Sequence, residues 1–391
     1  MSNFFDEKNY NDYFNKLNNR LQATEQKSVA PIKRTTPAKR RKKGIYKTIR
    51  IRRLGCLAIS LVLLIASVAV ITITLSDANK NKDAISNVSS VPAQQSAEST
   101  TSEVVEEKPA APQIFFTTDI DTAFIPETNP VKNAIFIRRS DRRVIAQRDA
   151  HKRISPASTM KIMTLLVAVE HIEDFNDTFT MTYEITDPLF KEGASVASFL
   201  NNEVINMYDL LYGLILPSGG DAAMGLAVKI AGSEEAFVEL MNKKAEEFGL
   251  LNTHFTNVVG LYNKDNYSSA YDIAVILEAA LNNETCRKIL STKNYTTAVT
   301  PQHPKGIPLL STLLARVNGY NLENANITGG KTGYVTEAGY CIASFGENAD
   351  GTEDYIVVTM GSATRRDSVT QQIDLYKTFI KQQAVEEQVL N

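Results

Sequence analysis

The chain has 391 residues, 43% of them hydrophobic, and a net charge of −2, enough for two average domains or for one large domain with appendages. That near-neutral total gives no global bias toward nucleic acid, and no nucleic-acid partner is expected. Three cysteines (Cys56, Cys286, Cys341) and four histidines (His151, His171, His254, His303) form no C-x-x-C or H-E-x-x-H spacing, so no zinc site and no cofactor is expected.

Residues 1 to about 30 are rich in Asn, Lys, Gln and Asp, too poor in aliphatic side chains to build a core. Tyr10, Phe14, Leu17 and Leu21 fall at helical spacing, which reads as a transient helix in a disordered tail. From Lys33 to Arg53 the chain is strongly basic and carries no acid. Leu54 to Leu75 then carries no charge at all, and as a helix it would be about 33 Å long, against a hydrocarbon thickness of about 30 Å. The basic flank on its N-terminal side predicts residues 1–53 in the cytoplasm and everything after 76 outside, with the chain held in a membrane by this single pass. A cleaved signal peptide fits less well, because its charged region would be far shorter than the one before Leu54. Residues 76–113, with Ser89-Ser90-Val91-Pro92 and Glu106-Glu107-Lys108-Pro109, read as a low-complexity linker outside the membrane. Residues 114–391 read as one extracytoplasmic domain.

Within that domain, Asn133–Arg138 and Val144–Gln147 are short apolar runs around the polar Arg139-Ser140-Asp141-Arg142-Arg143, a hairpin pattern. Ser155 and Pro156 then open a helix predicted over Thr159–Glu170. Residues 176–206 give no clear assignment. Met207–Leu216 has apolar residues at helical spacing and breaks at Pro217-Ser218-Gly219-Gly220-Asp221; Ala222–Ile230 and Glu234–Phe248 continue a helical cluster. A strand is predicted from Ile327, with Gly339–Phe345 and Tyr355–Met360 as neighbours, and a final helix from Ser368 to about Val389.

The chemistry centres on Ser158-Thr159-Met160-Lys161. On a helix, Lys161 at i+3 shares a face with Ser158. A serine hydroxyl is a weak nucleophile and a free lysine is protonated at neutral pH, but burial among apolar residues near another cation favours the neutral amine, and the pair becomes nucleophile and base. Ser-x-x-Lys alone recurs by chance, so context has to carry the reading. Ser218-Gly219-Gly220 and then Lys331-Thr332-Gly333 follow in order. This set resembles the S-x-x-K, S-x-N and K-T-G motifs of serine penicillin-binding proteins and class A β-lactamases. The stretches Pro156–Thr164, Leu210–Ala223, Asn252–Asn257, Tyr267–Asp272 and Gly329–Tyr334 narrow the resemblance to the low-molecular-mass D-alanyl-D-alanine carboxypeptidases, peptidase family S11, over roughly residues 130–383.

The resemblance implies an α+β, β-lactamase/transpeptidase-like fold: an antiparallel sheet flanked by helices, plus a helical lobe. It implies a serine hydrolase that removes the terminal D-alanine of peptidoglycan stem pentapeptides through an acyl-enzyme and is acylated by β-lactams. Ser158 would attack, Lys161 would take its proton, and Ser218 would relay a proton to the leaving amine. Lys331 and Thr332 would hold the terminal carboxylate beside Gly333, and the backbone N–H groups of Ser158 and Tyr334 would form the oxyanion hole. One position departs from the pattern: Gly220 stands where the family carries Asn, which removes an amide that contacts the substrate backbone. Two alternatives stay open. One is a class A-like β-lactamase; the other is a catalytically weak wall-binding or β-lactam-sensing protein. Cys286 and Cys341 lie outside the predicted membrane segment and either pair or stay buried as thiols.

Overall fold

The computed structural model describes residues 114–390. The predicted cytoplasmic tail, the Leu54–Leu75 span and the linker up to residue 113 lie outside the described residues. Among the described residues no helix is long and apolar enough to cross a membrane.

Elements follow the chain as β1 (Ala123–Phe124), β2 (Asn133–Arg138), β3 (Arg143–Arg148), a 3₁₀ turn (Ala157–Met160), α1 (Lys161–His171), β4 (Thr178–Thr180), α2 (Tyr183–Lys191) and β5 (Val204–Asn206). Next come α3 (Met207–Ile215), α4 (Gly220–Ala231), α5 (Glu234–Glu247), α6 (Ala270–Asn282), α7 (Glu284–Ser291), β6 (Asn294–Thr296) and β7 (Pro308–Leu310). The chain closes with α8 (Thr312–Val317), β8 (Ala325–Val335), β9 (Gly339–Asn348), β10 (Asp354–Ser362) and α9 (Arg365–Leu390).

The main sheet runs β1-β3-β2-β10-β9-β8. Its pairings are antiparallel except that two-residue β1 joins β3 in parallel, so the sheet is mixed at one edge. Side chains alternate between faces with the period of a strand. Ile135, Ile137, Ile356, Val358 and Ala343 enter the large core shared with α1, α3 and α6. Ala134, Phe136, Tyr355 and Val357 face the other way, onto Leu375, Tyr376 and Phe379 of α9. Helices thus cover both faces.

Local chemistry sets the helix ends. The side chains of Asn206, Ser233, Ser269 and Asn283 accept from first-turn N–H groups of α3, α5, α6 and α7, the usual satisfaction of orphan donors. Gly232 at φ +82° ends α4 in the left-handed region. Cys286 and Cys341 are buried free thiols rather than a bridge, and burial pushes them up to about 12 and about 11 respectively.

Candidate active site

Ser158 sits in the 3₁₀ turn and Lys161 begins α1. In a 3₁₀ turn residues i and i+3 eclipse, and Lys161 Nζ lies 3.2 Å from Ser158 Oγ. Ala157, just before the serine, is held at φ +48°, a conformation that L-residues rarely adopt and that clusters at functional sites. The Val259 carbonyl receives both groups: Lys161 Nζ donates to it, and Ser158 Oγ lies 3.4 Å away. That carbonyl is aimed by Asn257, whose Oδ1 accepts from the N–H of Val259 at 3.2 Å and of Gly260 at 2.6 Å.

Lys161 is 1% exposed. Burial lowers its amine to about 7, against the opposing pull of the Asp221 carboxylate. Asp221 itself is buried, and it accepts from the N–H groups of Ala197, Ser198, Phe199 and Ala222. It therefore ties the loop after α2 to the start of α4.

The third wall is β8, the end strand of the sheet, whose outer edge carries no further strand among the described residues. A side-chain carbon at Gly333 would lie 2.9 Å from the Ser158 nitrogen and 3.0 Å from that of Thr159. Only glycine lets this edge approach the serine so closely. Lys331 is buried, donates to the Thr332 carbonyl at 2.9 Å, and is held well below the usual lysine range by burial, by Lys161 and by Arg316. Tyr334 is 51% exposed and stacks on Tyr340 with centroids 4.3 Å apart.

Ser218 lies in the turn after α3, buried at φ +70°. Two bonds of Thr312 brace that turn against β8: its N–H donates to the Leu216 carbonyl at 3.0 Å, and its Oγ1 lies 2.9 Å from Thr332 Oγ1. Gly220 opens α4, and its N–H donates to the Ser195 carbonyl at 2.7 Å. A side-chain carbon at Gly220 would meet Leu189 Cδ2 and Val259 Cγ1, both at 3.1 Å, and the Ser195 oxygen at 3.3 Å. Leu189 and Val259 thus crowd the direction an asparagine side chain would take.

Ser158, Lys161, Lys331, Thr332 and Gly333 are therefore gathered around one point, with the Ser218–Gly220 turn braced beside them. Sequence reasoning missed the Val259 carbonyl, which is backbone and leaves no side-chain signal. It also missed Arg316 on α8. Arg316 is lowered to about 10 by burial and by Arg365, and it has no ion-pair or hydrogen-bond partner among the described residues. A lone arginine in a short apolar helix was the available sign. Buried Lys331 and half-buried Arg316, without matching acids, favour an anion.

Residues 122–364 match the family model described as D-alanyl-D-alanine carboxypeptidase, Peptidase_S11. The carboxypeptidase DacF of Bacillus subtilis (strain 168) is 32% identical over 246 residues, covering 62% of this chain and 61% of the relative. The D-alanyl-D-alanine carboxypeptidase of Streptomyces sp. (strain K15) is 34% identical over 200 residues, 49% of this chain and 68% of the relative. The crystal structure of the Streptomyces K15 DD-transpeptidase aligns with a TM-score of 0.57 at 28% identity, covering 63% of this chain and 96% of that one. The match thus spans about three fifths of DacF, where it covers 61% of the length. With the family model spanning more than half of its residues, the chain belongs to peptidase family S11, the D-alanyl-D-alanine carboxypeptidases.

Proposed function

We propose that this chain is a serine D-alanyl-D-alanine carboxypeptidase that trims peptidoglycan stem pentapeptides. The observation that carries the reading is the buried Lys161 amine, lowered to about 7 and 3.2 Å from Ser158 Oγ. Neutral Lys161 takes the Ser158 proton as Oγ bonds to the carbonyl carbon between the two terminal D-alanines. The oxyanion that forms is held by the N–H groups of Ser158 and Tyr334. The carbon–nitrogen bond then breaks, Ser218 passes a proton to the departing amine, and D-alanine leaves. Water hydrolyses the ester and returns the proton.

Lys331, Thr332 and Arg316 receive the substrate's terminal carboxylate, which favours the charged form of the Lys331 amine. A charged Lys331 makes Lys161 still harder to protonate, so substrate binding itself keeps the base ready. A β-lactam would acylate Ser158 by the same path and act as inhibitor. The Leu54–Leu75 segment would anchor the chain in the bacterial cell membrane, with the catalytic domain outside.

A second reading, a weakly catalytic β-lactam-binding protein, is favoured by Gly220 and by the crowding of Leu189 and Val259 around it. Release of D-alanine from a synthetic pentapeptide, with Ser158→Ala as control, tests the first reading. Release that vanishes in the control supports the carboxypeptidase. No release, with Ser158 still labelled by fluorescent penicillin, supports the second reading.

A further inference from the structure

A groove of about 400 Å³ opens at the N-terminal end of α3, away from Ser218, which follows the helix's other end. Its size lies in the ~300–1,000 Å³ range of small-ligand sites. Two aromatic pairs line it. Phe175 and Tyr208 stack with centroids 5.2 Å apart, and Tyr212 and Tyr295 stack at 3.9 Å. Tyr208 is 40% exposed.

The lining is fixed in place from below. Buried Asp209 accepts from the Tyr295 hydroxyl at 2.7 Å and from Asn206 Nδ2 at 2.8 Å. One carboxylate therefore orients both an aromatic ring and an amide of the groove. Asn176 stands at the rim, with one of its two amide hydrogens on Asp174. Lys288 also lines the groove, and its ammonium has no ion-pair partner among the described residues.

The exposed Tyr208 ring, bordered by amides and the Lys288 ammonium, matches one ligand shape well. A pyranose ring has an apolar face for the aromatic rings and a rim of hydroxyls, with an acetamido carbonyl in amino sugars, for the donors. A lipid chain would leave the amides and the ammonium unused. We infer that this groove is a saccharide subsite for the N-acetylated amino-sugar strand that carries the stem peptide.

The inference rests on the stem-peptide reading above.

The test uses the purified full-length chain and two probes. The N-acetylglucosamine tetramer, titrated calorimetrically, should bind saturably to the wild type and about tenfold more weakly to Tyr208→Ala and Lys288→Gln. Absence of saturable binding, or binding by both variants as tight as that of the wild type, would overturn the inference. In parallel, kcat/KM for D-alanine release is measured on disaccharide-linked and on free pentapeptide. A preference for the linked substrate that shrinks in Tyr208→Ala supports the subsite, and no preference in the wild type overturns it. Failure to release D-alanine from either substrate refutes the carboxypeptidase reading alone, since the tetramer titration reads the groove without catalysis.

Discussion

Two buried polar clusters lie on opposite faces of the same sheet, and they are built by opposite rules. Under α9, Gln372 accepts from Thr359 Oγ1 at 2.6 Å and donates to Ser344 Oγ at 2.6 Å and to the Val357 carbonyl at 2.9 Å. Tyr376 closes this set on Ser344 at 3.0 Å. Each of these side chains has a partner, as buried polar groups generally do. Across the sheet, Lys161 and Lys331 are buried without a carboxylate in ion-pair contact, and burial lowers both. The first cluster fastens a helix to the sheet. The second holds groups in forms they would not adopt in water, and that is where the chemistry is proposed.

The comparison can be broken at either cluster. The largest effect should come from Ser158→Ala, which should reduce both D-alanine release and penicillin labelling by at least about 10³-fold. Retained labelling would show that another residue is the nucleophile.

Lys161→Met comes next. Acylation of Ser158 should fall by roughly 10²–10⁴-fold, as expected for losing a general base. Stability should move the other way. The folded amine titrates near 7, well below its ordinary value, so the unfolded chain binds the extra proton more readily over that range. Stability charged to this group falls as pH drops from about 10 toward 7. Removing the amine should therefore raise Tm at pH 7 by about 3 °C or more, read by thermal denaturation. A lower Tm would mean that the buried amine is compensated.

Gly333→Ala should slow acylation by about 10²-fold while leaving the circular dichroism spectrum unchanged, because β8 would be pushed off the Ser158 amide. Unaltered acylation would show that the close approach is not needed. The smallest effect on chemistry should come from the satisfied cluster. Gln372→Leu should cost about 1–3 kcal/mol in urea unfolding, with kcat per folded molecule unchanged.

The contrast also explains what the sequence revealed. Runs with clear periodicity, such as Asn133–Arg138 and Met207–Leu216, fall within a residue of the observed bounds, because burial of one face or both dictates their pattern. Ser158 and Lys161 were legible as a pair because their proximity is local, three residues along one turn. Residues 176–206 gave no assignment. There a three-residue strand, a helix containing Pro188 and another three-residue strand follow in quick succession, each too short to show a period. The parallel pairing of β1 was equally hidden, since two residues cannot signal their partner. Val259 contributes a backbone oxygen, and Leu189 reaches Gly220 from a distant helix. Such groups are assembled by tertiary packing, which no local spacing records.

The most direct test of the central claim is the second-order rate of Ser158 acylation by benzylpenicillin as a function of pH. Burial without an ion-pair partner predicts a rate that rises to a plateau with an apparent pKa near 7, about tenfold per pH unit on the acid side. A rate that keeps climbing toward pH 10, as for an ordinary lysine, would contradict a neutral Lys161 as the base.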